Sequence, residues 1–188
     1  MKYLGAAAEW FDKAAILFIQ KAVNVSPVLN AFGIFLASGL IWVIAALVGI
    51  FAILECRKRW LTAVSAFVSA FTAWCINRWI GEIFFRPRPF AVYTEVQRLI
   101  EKSPLEKSFP SDHSATVFAL AFSVFLVNRR WGVVLLTLAG GVALGRVFVG
   151  VHFLTDVLAG AFIGVLCAYL IHRLVHKVLG TKHHQPKV

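Results

Sequence analysis

Charged residues are scarce in this 188-residue chain. They make up 15% of the sequence, whereas an ordinary soluble domain has about 25%, so a single compact soluble domain is excluded. Acidic residues are the scarcer charged type, with 9 Asp and Glu against 19 Lys and Arg. The three cysteines, Cys56, Cys75 and Cys167, show neither a CxxC pair nor zinc-ligand spacing. This excludes a disulfide framework and a zinc site. Because no carboxylate cluster points to another metal, we expect no cofactor.

Apolar residues are abundant instead. Hydrophobic types make up 60% of the chain, and the mean hydropathy is +0.78. A net charge of +10 suits nucleic acid, whose phosphates attract basic patches, but it also suits a membrane, where basic residues flank apolar segments. Since the apolar excess fits only the second interpretation, we expect a membrane protein and no nucleic-acid partner.

Segments free of charge locate the membrane spans. A hydrocarbon core of about 30 Å needs about 20 helical residues. The charge-free segments Ser114–Asn128, Trp131–Gly145 and Val157–His172 cover only about 24 Å each. They can span only if their helices continue into Asp112, Arg146 and Asp156, which places these charges at one membrane surface. We predict an all-α integral membrane helix bundle with about five transmembrane helices: Ala31–Leu54, Trp60–Asn77, Ser114–Asn128, Trp131–Gly145 and Val157–His172.

A shorter helix precedes the spans. Lys13 and Lys21 bracket too few uncharged residues for Ala6–Lys21 to cross a membrane, which predicts an amphipathic helix lying in the interface. A short helix packed on the bundle explains the same pattern. No linker or low-complexity tract divides the chain, so we expect one domain over residues 1–188.

Basic turns predict the orientation. The turns Glu55–Trp60 and Asn128–Trp131 fall on one side of the membrane together with the tail Arg173–Val188. The positive-inside rule makes that side cytoplasmic. We therefore expect the opposite ends of the helices to face the periplasm or the cell exterior. The histidines of the tail belong to a solvated basic segment rather than a metal site, because no carboxylate or cysteine joins them.

Three polar segments meet on that outer side. His152 and Asp156 share one face of a helix, where a carboxylate can fix which imidazole nitrogen is free to react. Arginine forks bind phosphate oxygens in pairs, and a serine N-cap marks a helix start whose N–H groups bind anions. This combination predicts phosphoryl transfer through a phosphohistidine. The candidate residues are Arg86, Arg88, Ser111, Asp112, His113, Arg146, His152 and Asp156.

Each segment also has a purely structural interpretation. RPRP can form a rigid loop, SDHS before an apolar run is an ordinary capping sequence, and Arg–x5–His–x3–Asp can be an ion network between helices. Their convergence at one depth, from distant parts of the chain, favours an active site. The mixed-charge loop Ala91–Lys107 is expected to be a solvated segment, with a lid as the alternative.

The order and spacing of the motifs resemble a known family. Arg-Pro, Pro-Ser-x-His and Gly-Arg-x5-His-x3-Asp, all within residues 81–164, are similar to the three signature motifs of the type 2 phosphatidic acid phosphatase superfamily of membrane lipid phosphatases. The forms RPRPF and SFPSDHS further resemble the bacitracin-resistance type of undecaprenyl-diphosphatase. This resemblance implies a bacterial inner-membrane enzyme with a lipid diphosphate or lipid phosphate substrate.

The resemblance also implies roles for the candidate residues. His152 would attack phosphorus, Asp156 would orient it and His113 would protonate the leaving group, while Arg88, Ser111 and Arg146 would bind phosphoryl oxygens. The family's first motif begins with a lysine seven residues before its arginine. In this chain Gly81 stands at that position, or Trp79 if Arg86 is the matching arginine. Arg86 or Arg78 is the expected substitute. Asp112 replaces the glycine common in the second motif, as in the diphosphatase type.

Several functions remain open at this point. The resemblance implies hydrolysis of undecaprenyl diphosphate to recycle the lipid carrier of cell-wall synthesis. Phosphatases of lipid A, phosphatidylglycerophosphate or phosphatidate would use the same residues. A non-enzymatic transporter or scaffold accounts for the helices but gives no reason for the polar residues to converge.

Overall fold

A computed structural model of the protein describes residues 5–54 and 60–178, and every regular element in these ranges is helical. The predicted basic turn falls at 55–59 and most of the predicted tail beyond 178, so both lie outside the described residues. The elements are α1 (Ala6–Gln20), α2 (Pro27–Ile34), a π-helical turn (Phe35–Gly39), α3 (Leu40–Leu54), α4 (Trp60–Ile83), α5 (Pro89–Val92), α6 (Asp112–Phe125), α7 (Arg129–Phe148) and α8 (Leu154–Val178).

The predicted all-α membrane bundle is confirmed. Three helical stretches are long and apolar enough to cross a membrane, namely Pro27–Ile53, Arg129–Phe148 and Leu154–Val175, and Asp112–Phe125 is a shorter apolar helix. The number of five crossings stays a prediction. The first stretch begins four residues earlier than predicted, because the Ser26 side chain caps it by accepting from the Leu29 N–H at 3.1 Å, with proline at its first position.

The short apolar segments do continue into charged residues. α6 begins at Asp112, α7 runs through Arg146 to Phe148, and α8 contains Asp156 in its first turn. The charged residues therefore lie where α6 and α8 begin and where α7 ends. Since these helices pack against one another, the charges gather at one end of the bundle.

Helix α6 is the centre of the bundle and packs against α8, α4, α7 and α3. Two glycines of α8 allow the closest approach. A Cβ atom at Gly160 would lie 2.4 Å from the Ser111 carbonyl oxygen, and one at Gly164 would lie 2.3 Å from that of Ala115. This small-residue packing holds the start of α8 against the start of α6.

Helix α1 packs on α7 and α8, with Asp12 and Ile16 fully buried while Trp10 and Phe18 are each 73% exposed. One face thus docks on the bundle and another presents large apolar side chains outward. This docking agrees with the interpretation of the segment as a short helix packed on the bundle. A position of α1 in the membrane interface stays a prediction.

Substitution of Gly164 by alanine is expected to destabilise the bundle, because the new methyl group meets backbone that cannot move alone. Overpacking of this kind costs about 1–3 kcal/mol, which lowers Tm by several degrees in a protein of this size. The matched control is Gly140→Ala in α7, where nothing lies within 4 Å of the added Cβ and alanine favours the helix by up to about 1 kcal/mol. Thermal unfolding in one detergent measures both, and equal Tm values would contradict the packing argument.

Candidate active site

A cavity of about 670 Å³ opens at the charged end of the bundle. It lies among α4, the start of α6, the end of α7 and the connection that precedes α6. The cavity has both polar and apolar lining residues. The polar part of the lining includes Arg88, His113, Arg146 and His152, and the apolar part includes Ile41, Trp42 and Trp74.

His152 lies in the turn between α7 and α8 and is 3% exposed. Its Nδ1 atom is 2.8 Å from the carbonyl oxygen of Ser108. A carbonyl can only accept a hydrogen bond, so Nδ1 carries the proton and donates it. The lone pair of the neutral ring is therefore on Nε2.

Burial keeps this imidazole neutral. Desolvation lowers the pKa of His152 from 6.5 to about 4, and the nearby carboxylate of Asp156 offsets only part of that shift. At neutral pH the ring is thus unprotonated. A positively charged ring would have no lone pair to offer, so the environment favours the reactive form.

Asp156 supports His152 through intermediates rather than by direct contact. Its Oδ2 atom is 3.8 Å from His152 Nδ1, which is too far for a hydrogen bond. The same oxygen accepts from the Ser108 hydroxyl at 2.5 Å and from the Phe153 N–H at 2.8 Å. Ser108 supplies the carbonyl that holds Nδ1, and Phe153 follows His152 in the chain. By holding both residues, the Asp156 carboxylate positions the ring indirectly.

Arg88 is 5% exposed and reaches the cavity from the connection after α4. One Nη donates to the Val151 carbonyl at 3.0 Å, and the other is 3.1 Å from Glu106 Oε2. Burial lowers the pKa of Arg88 while the Glu106 carboxylate opposes that shift. The carboxylate thus occupies one arm of a guanidinium fork that suits a phosphoryl oxygen equally well.

Arg146 is 2% exposed, and its hydrogen bond in the described structure is a 3.3 Å contact with the Ala37 carbonyl. That carbonyl belongs to the π-helical turn, a kind of distortion found often at functional sites. The turn approaches α7 closely, since a Cβ atom at Gly145 would lie 2.7 Å from the Ala37 nitrogen. Within the described ranges, the Nε atoms of Arg88 and Arg146 are buried and have no partner. Such donors are costly without an anion.

The start of α6 contributes further donors. Ser111 caps the helix as predicted, because its hydroxyl lies 3.5 Å from the Ser114 N–H and 3.2 Å from the Ser114 hydroxyl. His113 follows in the first turn and lines the cavity. The positive end of the α6 dipole therefore lies beside the two arginines and the two histidines.

The Asp112 carboxylate is held by a lysine and an asparagine of the protein. Its Oδ1 atom accepts from Lys107 Nζ at 2.7 Å and from Asn77 Nδ2 at 2.7 Å, and Lys107 Nζ also donates to the Pro110 carbonyl at 3.0 Å. The Lys107 chain crosses Gly81, where a Cβ atom would lie 1.9 Å from its Cδ. The missing side chain at Gly81 therefore leaves the room through which a lysine from another segment reaches the cavity.

The two expected substitutes for the missing lysine lie in different places. Arg86 bonds to Asp156 at 2.7 Å and to Asp12 at 2.8 Å, and it is not among the residues that line the cavity. Arg78 lies at the cavity rim, 4.0 Å from Glu82. Arg86 thus pairs with carboxylates behind the site, because two of them are buried there and need a cation.

Sequence reasoning missed five residues of this arrangement, and four of them are close in the chain to predicted ones. The Gly81 position was the available signal for Lys107, since it showed that a cation had to come from another segment. Asp12 carried no such signal, because its helix is far from the motifs. The missed residues are Asp12, Asn77, Glu106, Lys107 and Ser108.

A neutral buried histidine, two arginines whose buried Nε atoms have no partner in the described ranges and a second histidine line one cavity at the end of a membrane helix bundle, an arrangement that suits phosphoryl transfer. A family model described as the PAP2 superfamily matches residues 62–179. The chain belongs to this superfamily of membrane lipid phosphatases, which confirms the resemblance found in its motifs.

Individual relatives agree. The chain is 31% identical over 157 residues to a bacitracin transport permease protein of Bacillus licheniformis, covering 84% of this chain and 77% of that one. It is 29% identical to a putative undecaprenyl-diphosphatase of Escherichia coli over 172 residues, or 89% and 83% of the two chains. The crystal structure of Aquifex aeolicus LpxE shares the fold, with a TM-score of 0.69, 21% identity and coverage of 87% and 95%.

The buried state of His152 predicts its titration. We expect its ring to protonate near pH 4 rather than near the ordinary value of about 6.5. Because the unfolded chain binds this proton more tightly, the fold loses stability as the pH falls from about 6.5 towards 4. NMR of histidine-labelled protein in micelles measures the midpoint, and the spectrum of His152→Gln assigns the signal. A midpoint at 6 or above would contradict the burial argument.

Proposed function

We propose that the protein hydrolyses the terminal phosphate of a polyprenyl diphosphate, undecaprenyl diphosphate in particular, through a phosphohistidine intermediate on His152. The observation that carries this proposal is the hydrogen bond from Nδ1 to the Ser108 carbonyl. It leaves the Nε2 lone pair of a buried, neutral ring as the nucleophile beside a cavity lined by arginines.

The reaction follows two steps. His152 Nε2 forms a bond to the terminal phosphorus while the bond to the bridging oxygen breaks, and that electron pair leaves with the lipid monophosphate. His113 supplies the proton that the leaving oxygen needs. Water then attacks the phosphohistidine and gives a proton to His113, the nitrogen–phosphorus electron pair returns to His152, and inorganic phosphate is released.

Positive charge around the cavity stabilises the transferring group. Arg88 and Arg146 have donors to spare in the described structure, and the start of α6 adds backbone N–H groups. Such preorganised donors stabilise the metaphosphate-like transition state without rearranging. Glu106 would exchange its place on Arg88 for a phosphoryl oxygen when substrate binds, and the neighbouring Lys102, 3.5 Å from its carboxylate, would retain it.

The shape of the cavity supports a lipid diphosphate. Its apolar part meets the outer surface of the helices at Trp42, which is 74% exposed, and an isoprenoid chain can leave the cavity there for the bilayer. Lys107 adds a cation beyond the two arginines, as a second phosphoryl group requires. One relative is named a putative undecaprenyl-diphosphatase, and that name favours the same substrate class.

The location completes the proposal. The site lies at the end of the bundle opposite the turn Asn128–Trp131, and the basic turns favour a cytoplasmic position for that other end. The site would then face the periplasm or cell exterior of a bacterial inner membrane. There it would regenerate the lipid monophosphate carrier for cell-wall synthesis.

Two alternatives are tested together. Another lipid phosphate, such as lipid A, phosphatidylglycerophosphate or phosphatidate, would react by the same steps. A transporter or scaffold would release no phosphate at all. Phosphate release by purified protein from undecaprenyl diphosphate, lipid A, phosphatidylglycerophosphate and phosphatidate separates them, with His152→Ala as the inactive control. A higher kcat/KM for one of the other lipids would replace the proposed substrate.

Loss of His113 is expected to matter less for a diphosphate. A lipid monophosphate expels an alkoxide that needs a proton, and general acid catalysis is typically worth about 10²–10⁴-fold. A diphosphate expels a phosphate monoester, which is already a good leaving group. We expect His113→Ala to lower kcat more on phosphatidate than on a prenyl diphosphate, while His152→Ala abolishes both. Equal losses would contradict a reaction adapted to diphosphates.

Lys107 is expected to serve the second phosphoryl group. Lys107→Met should lower kcat/KM for the diphosphate by about tenfold or more, the value of a charged hydrogen bond, and have a smaller effect on a monophosphate. Gly81→Ala should act in the same way, since its methyl group takes the space of the Lys107 chain, and the two changes together should add little. The control is Lys13→Met, at an exposed position of α1. A loss shared equally by both substrates would assign Lys107 a structural role only.

A further inference from the structure

A carboxylate that the proposed reaction does not use lies behind the site. Asp12 belongs to α1 and is fully buried. Its Oδ1 atom accepts from the Thr155 N–H at 2.9 Å, and its Oδ2 atom accepts from the Thr155 hydroxyl and is 2.8 Å from Arg86 Nη2. A buried charge is retained at a cost unless it is paired, and here the cation that pairs it comes from the motif RPRP.

Arg86 joins this carboxylate to the site. Its Nη1 atom is 2.7 Å from Asp156 Oδ1 and donates to the Thr155 hydroxyl at 2.9 Å. Its guanidinium lies over the Phe153 ring, 3.8 Å from the ring centre. The fork is therefore held at both nitrogens and on one face, so the position of Asp12 determines where the fork meets Asp156.

The chain of contacts continues to the nucleophile. Asp156 holds the Ser108 hydroxyl at 2.5 Å, and the Ser108 carbonyl holds His152 Nδ1 at 2.8 Å. We propose that Asp12 is a positioning residue for His152, acting through Arg86, Asp156 and Ser108. Helix α1 thereby completes the catalytic geometry, although its described residues are not among those that line the cavity. This inference rests on His152 as the nucleophile of the proposed function.

The effect of removing Asp12 should fall on catalysis and not on substrate binding. Arg88, Arg146 and the start of α6 bind the phosphoryl group without contacting Asp12. A misplacement of about 1 Å at a reacting atom can cost about a hundredfold in rate. A loosened His152 would thus lower kcat and leave KM nearly unchanged.

The test is Asp12→Asn in the full chain. The asparagine oxygen can still accept from the Thr155 N–H, so α1 keeps that contact with α8, while Arg86 loses one of its two anionic partners. On whichever lipid phosphate the wild type hydrolyses, we expect kcat to fall about tenfold to a hundredfold with KM within threefold. The matched control is Gln20→Ala, which removes the 2.9 Å bond from α1 to the Phe148 carbonyl and should leave kcat within twofold.

A double-mutant cycle separates positioning from simple helix docking. If Asp12 acts through Arg86, Asp12→Asn adds no further loss to Arg86→Met, whereas independent structural effects multiply. Arg86→Lys is a second variant, because lysine keeps the charge but cannot bridge both carboxylates, and it should reproduce the loss of kcat. Unchanged kcat in folded Asp12→Asn or Arg86→Lys, or multiplying losses in the cycle, would overturn the proposal.

A readout without substrate keeps this inference distinct from the proposed function. The ¹⁵N shifts of His152 report which ring nitrogen carries the proton. The wild type should show the Nδ1–H tautomer, and Asp12→Asn should show a mixture of the two tautomers. A wild-type ¹⁵N signature in the folded variant would refute positioning by Asp12, even if the substrate proved to be a different lipid phosphate.

Discussion

A carboxylate inside a helix bundle must be paired and fully hydrogen-bonded, because desolvating it otherwise costs several kcal/mol. Asp156 is fully buried, and each of its oxygens has a partner: Arg86 on one, Ser108 and the Phe153 N–H on the other. These partners come from separate segments of the chain. Satisfying this single charge therefore draws the RPRP segment, the approach to α6 and the turn before α8 to one place, and His152 is held there as a consequence.

The same site leaves other polar groups unsatisfied. The Nε atoms of Arg88 and Arg146 have no partner in the described ranges, although both side chains are nearly inaccessible. The fold pairs Asp156 completely yet leaves guanidinium N–H groups of two buried arginines without a partner in the described ranges. In the proposed reaction this difference is functional, since the carboxylate must stay in place whereas the arginines must accept a phosphoryl group on every turnover.

Much of this site could be predicted because the motif residues sit at helix ends. The charge-free segments located the helices, and their shortness predicted Asp112, Arg146 and Asp156 at one membrane surface. The structure places all three near helix ends at one end of the bundle. The spacing of His152 and Asp156 predicted that they share one face of a helix. The i,i+4 rule applies only within a helix, and His152 precedes α8, so the indirect connection through Ser108 could not be predicted. The partners of Arg86 could not be predicted for another reason: Asp12 comes from α1, and sequence spacing does not report which distant carboxylate needs a cation.

The charges of the cavity also bear on the choice between monophosphate and diphosphate. Lys107 reaches it only because Gly81 has no side chain, and Asp112 and the Pro110 carbonyl hold its ammonium group in place. A cation fixed by two acceptors costs little further entropy when it binds an anion. Two buried arginines and the α6 terminus already match the charge of one phosphoryl group. A preorganised lysine near them suits the second phosphoryl group of the proposed lipid diphosphate, which is the chemical feature that distinguishes this proposed substrate from the other candidates.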